Sequence, residues 1–344
     1  MPSEATRAVS ELSTIGSPTL WAITVAGLAL LLIMDFLLTR RPHEVRMREA
    51  VAWSIFYLAL PIAFGLYVWL SFGSGVAVEF FTGYVVEKSL SVDNLFVFML
   101  LLSAFAVPAA YVQRVLLYGI VGALVLRGIF IALGAAVLQS GTWAFLLFGA
   151  ILILTAGKVF KEALGGQQHQ VDISGMRTVR LLRRLMPVTN DYRGAHLVVR
   201  ENGRRALTPL ALAMVAVFVT DIVFAVDSVP AVYGVTEDPF LVFATNAFAL
   251  LGLRALYFVL QGALAKLRHL NHGLAIILAF IGVKLVLHWA HGIWPQTPEI
   301  PTPVSLGVII GVLATVTITS VRANRRDGAR SSASPDEQPE RSHP

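Results

Sequence analysis

Glu87-Lys88-Ser89-Leu90-Ser91-Val92-Asp93-Asn94 and Asp221-Ile222-Val223-Phe224-Ala225-Val226-Asp227-Ser228 are the two stretches on which the reading of this chain turns. Each is an acid, five residues, an aspartate, then a side chain with an amide or a hydroxyl. Each lies in an apolar run of membrane-crossing length. The likeness continues downstream of both. Leu126-Arg127-Gly128-Ile129-Phe130 answers to Leu253-Arg254-Ala255-Leu256-Tyr257, and Ala156-Gly157-Lys158-Val159 to Ile281-Gly282-Val283-Lys284-Leu285. Three consecutive runs therefore repeat as three later runs, the pattern of an internally duplicated fold.

Around these stretches the chain is 56% hydrophobic and only 14% charged over 344 residues. One soluble core cannot hide that much apolar surface, so much of the chain must face lipid. Nine runs of about 20 apolar residues are predicted to cross as helices. They lie near 18–39, 50–71, 80–105, 112–137, 142–161, 208–232, 239–262, 272–291 and 304–321. The runs are continuous rather than alternating, which argues against a membrane β-barrel. The fold class expected is thus all-α integral membrane. The expected divisions are 1–75 (the first two spans), 76–163 (the first triplet), 164–207 (a basic loop), 208–292 (the second triplet), 293–322 (the ninth span) and 323–344 (a disordered tail).

The net charge of +6 could suggest nucleic acid, but the basic residues sit in alternate gaps between spans, so no nucleic-acid partner is expected. Arg40, Arg41, Arg46 and Arg48 follow the first span, and Arg177 to Arg205 fill the long gap at 162–207. Lys266 and Arg268 follow the seventh span, and Arg322 to Arg330 the ninth. The gaps near 72–79, 138–141, 233–238 and 292–303 hold no Lys or Arg. Cytoplasmic loops collect these residues, so the N-terminus is predicted outside and the C-terminus in the cytoplasm. Glu4 and Glu11 beside Arg7 speak against a cleavable signal peptide. Residues 165–170 read as flexible, and Arg177–Met186 as a short basic amphipathic helix on the anionic leaflet.

With these directions the triplets 80–161 and 208–291 enter the membrane from opposite sides. That is the inverted-repeat plan of many secondary transporters, whose sites lie near the midplane where the halves meet. Asp93 and Asp221 fall near the middle of their spans, and Glu87 and Asp227 nearer the outer side. A carboxylate at such depth costs at least about 2.5–3.5 kcal/mol, so each needs a partner. One reading is internal neutralisation by Lys88, Arg127, Arg254, Lys158 and Lys284. Lys158 reads more simply as snorkelling to the cytoplasmic face. The other reading is a cation site, in which Asp93 and Asp227 are direct ligands, Glu87 and Asp221 co-ligands or proton carriers, and Asn94 and Ser228 further oxygen donors. With no cysteine in the chain, only oxygen or imidazole ligands are available, which suits Mn²⁺, Mg²⁺ or Ca²⁺.

Six residues turn a helix through about 600°, so the two acids of each motif cannot share one face unless the helix is broken. Ser89, Ser91 and Pro230 make local unwinding an expectation. Asp35 reads as interfacial, Asn246 as an interhelical hydrogen bond, and His288 and His291 as interfacial rather than metal ligands at an entrance. Glycines on the fourth and fifth spans read as close helix packing. No phosphate-cradling loop, Ser-His-Asp set or HExxH motif is present, so neither an enzyme nor an ATP-driven pump is expected.

The two acid motifs, Asp221 through Pro230 and Asn246 through Tyr257 resemble the TerC/Alx family of bacterial membrane proteins, from about the first span to the ninth. The resemblance implies manganese export and tolerance, or in some members tellurite resistance. It implicates Glu87, Asp93, Asp221 and Asp227 in metal handling, with Asn94 and Ser228 beside them. The expected function is export of Mn²⁺, the ion being cargo with no permanently bound cofactor. Protons are a plausible counter-ion, because acids that take up a divalent ion release them. The alternatives are a non-transporting membrane factor for metal delivery or stress tolerance, and a transporter of another solute.

Overall fold

The computed structural model describes residues 14–39, 47–164, 204–260 and 270–332, and between 164 and 204 only 179–180, 184, 186–189, 191–194 and 196–201. The proposed amphipathic helix at 177–186 and the segment 165–170 therefore fall largely or wholly outside the described residues.

The helices in chain order are α1 (Pro18–Thr39), α2 (Met47–Phe72), α3 (Ser74–Ala104), α4 (Ala109–Gln139), α5 (Trp143–Leu164), α6 (Pro209–Tyr233), α7 (Pro239–Leu251), α8 (Leu253–Leu260), α9 (Leu270–Ile293) and α10 (Thr302–Ser332). Among the described residues, eight spans are long and apolar enough to cross a membrane: α1, α2, α4, α5, α6, the α7–α8 pair, α9 and the first part of α10. The ninth expected crossing, α3, is 31 residues long but carries Glu79, Glu87, Lys88 and Asp93. It is tolerated because it lies inside the bundle, packed by α2, α6, α7 and α10. Leu30, Leu70, Leu133 and Leu154 project outward from the surrounding helices and present the lipid-like surface that the composition requires.

Within the bundle, α5 and α9 make the most extensive pairing. Gly149 and Gly282 explain it. A Cβ on Gly149 would stand 2.9 Å from the Gly282 carbonyl oxygen, and one on Gly282 would stand 3.0 Å from that of Gly149. Only glycine at both positions lets the backbones approach so closely. On α4, Gly122 and Gly134 similarly receive the rings of Phe218 and Tyr233. Close packing at glycines of the fourth and fifth spans is thus borne out. α4 packs on α6 and α3 on α7, an exchange of partners in keeping with a duplicated triplet.

Four features differ from expectation. Neither α3 nor α6 unwinds at its acids; both are continuous helices, and Pro230 is accommodated inside α6. The seventh span breaks instead, at Gly252, between α7 and α8. Part of the 162–207 gap is ordered as a hairpin, β1 (Val198–Glu201) with β2 (Arg204–Leu207), antiparallel. Its neighbour Tyr192 donates to the Phe105 carbonyl (2.7 Å), and burial pushes that phenol above its usual range, which keeps it protonated as a donor. The last helix continues to Ser332, past the expected end at 322, and residues 333–344 lie outside the described residues.

Asp238 ties the chain's start to the bundle. Its carboxylate accepts from the Thr14 hydroxyl (2.6 Å), the Ile15 amide (2.8 Å) and the Phe240 amide (2.8 Å), and so caps the N-terminus of α7. Asp238→Ala is expected to lower stability by about 2 kcal/mol, the upper range for a lost N-cap. Thermal unfolding of the detergent-solubilised chain measures this, and an unchanged midpoint would count against it.

Candidate functional site

α3, α4, α6 and α7 bring one residue each to a common point inside the bundle: Glu87, Arg127, Asp221 and Asn246. All four are almost completely shielded, with Glu87 0% and Arg127 1% exposed. The centre is the guanidinium. Arg127 Nη1 forms an ion pair with Glu87 Oε1 and donates to Asn246 Oδ1 (2.6 Å). Asn246 is held in that sense because its Nδ2 donates to the Val242 carbonyl (2.8 Å), one turn back on its own helix. Ser91 Oγ reaches Glu87 Oε1 at 3.4 Å. Arg127 Nη2 stands 3.7 Å from Asp221 Oδ1, an ion pair too long to be a hydrogen bond. Asp227, half-buried further along α6, lies near enough for its charge to act on both Arg127 and Glu87.

This arrangement is unbalanced in a specific way. Glu87 Oε2, both carboxylate oxygens of Asp221, Ser228 Oγ, and the Nε and Nη2 of Arg127 are buried with no hydrogen-bond partner among the described residues. Buried polar groups are satisfied as a rule, and each exception asks for an explanation. Glu87 and Asp221 both meet Arg127, and Asp227 acts on it through its charge. Among the described residues, no group of three or more His, Asp or Glu stands in a geometry that could hold a metal ion.

The site residues read from sequence divide accordingly. Glu87 and Asp221 come together at Arg127, with Asp227 in reach of the charges of Glu87 and Arg127; Asn94 and Ser228 are buried on α3 and α6. The side chain of Asp93 lies outside the described residues. Asn246, read as an interhelical hydrogen bond, is one, and its partner is the site's arginine.

The expected charge partners separate. Arg127 is at the centre. Lys88 is half-buried and turned away, its Nζ donating to the Ala249 carbonyl at 3.1 Å. Ala249 lies in the last turn of α7, where the break at Gly252 frees carbonyls for an outside donor. Arg254, expected to serve the acids, is paired with Asp35 of α1 instead. Asp35 is itself buried, 3% exposed. Lys158 is 72% exposed beside Glu162, as a snorkelling lysine would be. Lys284 lies far along α9, near Glu79 and Glu299.

Lys284 belongs to a feature that sequence reasoning missed. A cavity of about 760 Å³ opens at the end of the bundle that the charge pattern assigns to the outside. Glu79, Glu237, Asp238 and Glu299 contribute to its wall. His288 spans it, with Nε2 at 3.4 Å from Glu237 and Nδ1 at 3.0 Å from Glu299. His291 Nδ1 contacts the Thr297 carbonyl at 2.7 Å. The signal was available: the gaps that lack Lys and Arg carry these acids.

Residues 72–328 match the model of the integral membrane protein TerC family. The chain is 40% identical over 313 residues to the uncharacterized membrane protein STKORF319 of Myxococcus xanthus, covering 91% of this chain and 95% of that protein. It is 40% identical over 326 residues to a protein of Escherichia coli (strain K12) named "Putative membrane-bound redox modulator Alx", covering 92% and 98%. It is 42% identical over 310 residues to the uncharacterized membrane protein Rv2723 of Mycobacterium tuberculosis (strain ATCC 25618 / H37Rv), covering 87% and 78%. No solved structure matches the chain. Eight apolar spans of crossing length among the described residues, a charged helix held among them and a family match over most of the length agree: the chain is a multi-pass integral membrane protein and belongs to the TerC family.

Proposed function

We propose that the chain exports a divalent cation, Mn²⁺ before others, from the cytoplasm across a bacterial inner membrane, in exchange for protons. The observation that carries this reading is the meeting of Glu87 and Asp221 at one point inside the bundle, with Asp227 in reach of the charges of Glu87 and Arg127, where Glu87 Oε2, both Asp221 oxygens and Ser228 Oγ are left unsatisfied among the described residues. Carboxylate and hydroxyl oxygens are the donors that hard divalent ions take. Isolated acids at that depth are expensive, and in membrane proteins they mark ion pathways. The acid-lined cavity at the opposite end from the basic loops supplies an exit on the outer side. The packing of α3 on α7 and α4 on α6 supports the two inverted triplets between which such a site would alternate.

One observation favours the other reading, a membrane factor for metal delivery or tellurite tolerance that moves no ion. The acids are gathered around an arginine, as a structural cluster would be. The redox role in the name of the Escherichia coli relative has no thiol to run on here, because the chain has no cysteine.

Purified chain in proteoliposomes decides between the readings. Mn²⁺ flux by the chain alone supports the exporter, and its absence in folded, reconstituted protein supports the factor. Flux indifferent to a collapsed pH gradient would remove the proton exchange while leaving the transport.

A further inference from the structure

The guanidinium at the centre of the acids is poorly served. A structural arginine–carboxylate pair is commonly a fork, with two parallel N–H···O bonds. Arg127 uses a single nitrogen, Nη1, for both Glu87 and Asn246, and leaves Nε and Nη2 without partners among the described residues. Across from Nη2, at 3.7 Å, is Asp221 with neither oxygen hydrogen-bonded. A buried donor and a buried acceptor thus face each other just out of reach. Glu87 belongs to α3 and Asp221 to α6, the first helices of the two triplets, so the guanidinium stands between the halves with a partner on each.

Resting on the export reading, we propose that Arg127 is a tethered counter-cation. It holds Glu87 when no substrate ion is present and moves onto Asp221 as the ion arrives at Glu87 Oε2, the oxygen left without a partner among the described residues. The guanidinium and the ion then compete for one set of acids, and the cluster never stands in the membrane without a positive charge. This accounts for the absence of a metal-holding group among the described residues, because the acids close on an ion only after the arginine has given way. Asn246 is the positioning residue. Its amide, fixed by Val242, biases the guanidinium toward Glu87.

The test is Mn²⁺ binding to the full-length chain in detergent micelles, read from loss of the free Mn²⁺ paramagnetic resonance signal, with flux measured in parallel. Arg127→Gln removes the competitor and is expected to bind Mn²⁺ about tenfold more tightly, a difference of about 1.4 kcal/mol. Its turnover is expected to fall, because an ion held more tightly is released more slowly. Asn246→Ala keeps every charge and only loosens the arginine; it is expected to tighten binding about threefold, a smaller step on the same scale. An arginine that merely holds the fold together would weaken binding when removed. Equal or weaker binding in Arg127→Gln overturns the proposal. Should Arg127→Gln not purify as a folded protein, Asn246→Ala decides alone, and no tightening there overturns it. A wild-type chain that neither binds nor moves Mn²⁺ instead defeats the export reading itself.

Discussion

Asp221→Asn is expected to reduce Mn²⁺ flux by about ten- to a hundredfold while leaving the protein folded and at normal abundance in the membrane. The flux estimate takes the loss of a metal-site group as at least that of an orienting neighbour. The expectation of normal folding comes from the geometry. Neither carboxylate oxygen of Asp221 accepts a hydrogen bond among the described residues, and its one ion pair, to Arg127, is stretched to 3.7 Å. Asparagine has the same shape and carries no charge, so little structure is lost with the negative oxygen. Glu87→Gln is a less clean experiment. It strips the direct partner from a buried guanidinium, and breaking a buried pair from one side costs about 3–5 kcal/mol. Reduced flux in that variant would mix loss of site with loss of fold. Efflux from inverted vesicles, normalised to the amount of chain present, measures the Asp221 effect. Wild-type flux in Asp221→Asn would remove that residue from the site and leave Asp227 and Glu87 to carry it.

The crossings were legible because the bilayer imposes a single strong constraint. A helix must stay apolar for about 20 residues or it does not insert, and runs of that length are visible without any knowledge of packing. The run at 18–39 is α1 to the residue, and 239–262 is recovered as α7 and α8 together. The acids of the candidate site were legible for the converse reason: a charge in such a run has no local excuse. What stayed hidden is which helix lies opposite which. Arg127 and Arg254 occupy matching places in the two triplets and look alike in sequence, yet one faces Glu87 and Asp221 and the other faces Asp35. Partner choice is set by three-dimensional packing, which spacing along one helix does not encode. Gly252 illustrates the same limit. A lone glycine in an apolar run is compatible with a straight helix. Here it is a break, with the Lys88 ammonium 3.2 Å from where a Cβ would stand and donating to a freed carbonyl. The hairpin at 198–207 was missed because its short strands lie in a polar, arginine-rich gap, where charge dominated the reading.

Arg254→Leu is expected to destabilise the folded chain by about 3–5 kcal/mol, Asp35→Leu by a similar amount, and the pair together by much less than either alone. Arg254 and Asp35 are 7% and 3% exposed, and their charges meet directly. Removing one leaves the other buried with this countercharge gone. Removing both leaves an apolar contact of comparable bulk. The pair also has a mechanical role. α1 is a peripheral helix with 22% of its apolar stretch buried, whereas the α7–α8 span is 78% buried. Asp35 and Arg254 fasten that outer helix to the start of α8, immediately after the break at Gly252. Tyr57 of α2, fully buried beside both charges, adds a third helix to the junction. Loss of the pair should therefore loosen α1 first, with faster proteolysis between α1 and α2 ahead of global unfolding. Thermal unfolding of the two single variants and the double variant measures the coupling directly. Single variants as stable as the wild type, or a double variant no better than the worse single, would show that the charges do not depend on each other. Mn²⁺ binding per folded molecule should be unchanged in the double variant, which separates this junction from the acids around Arg127.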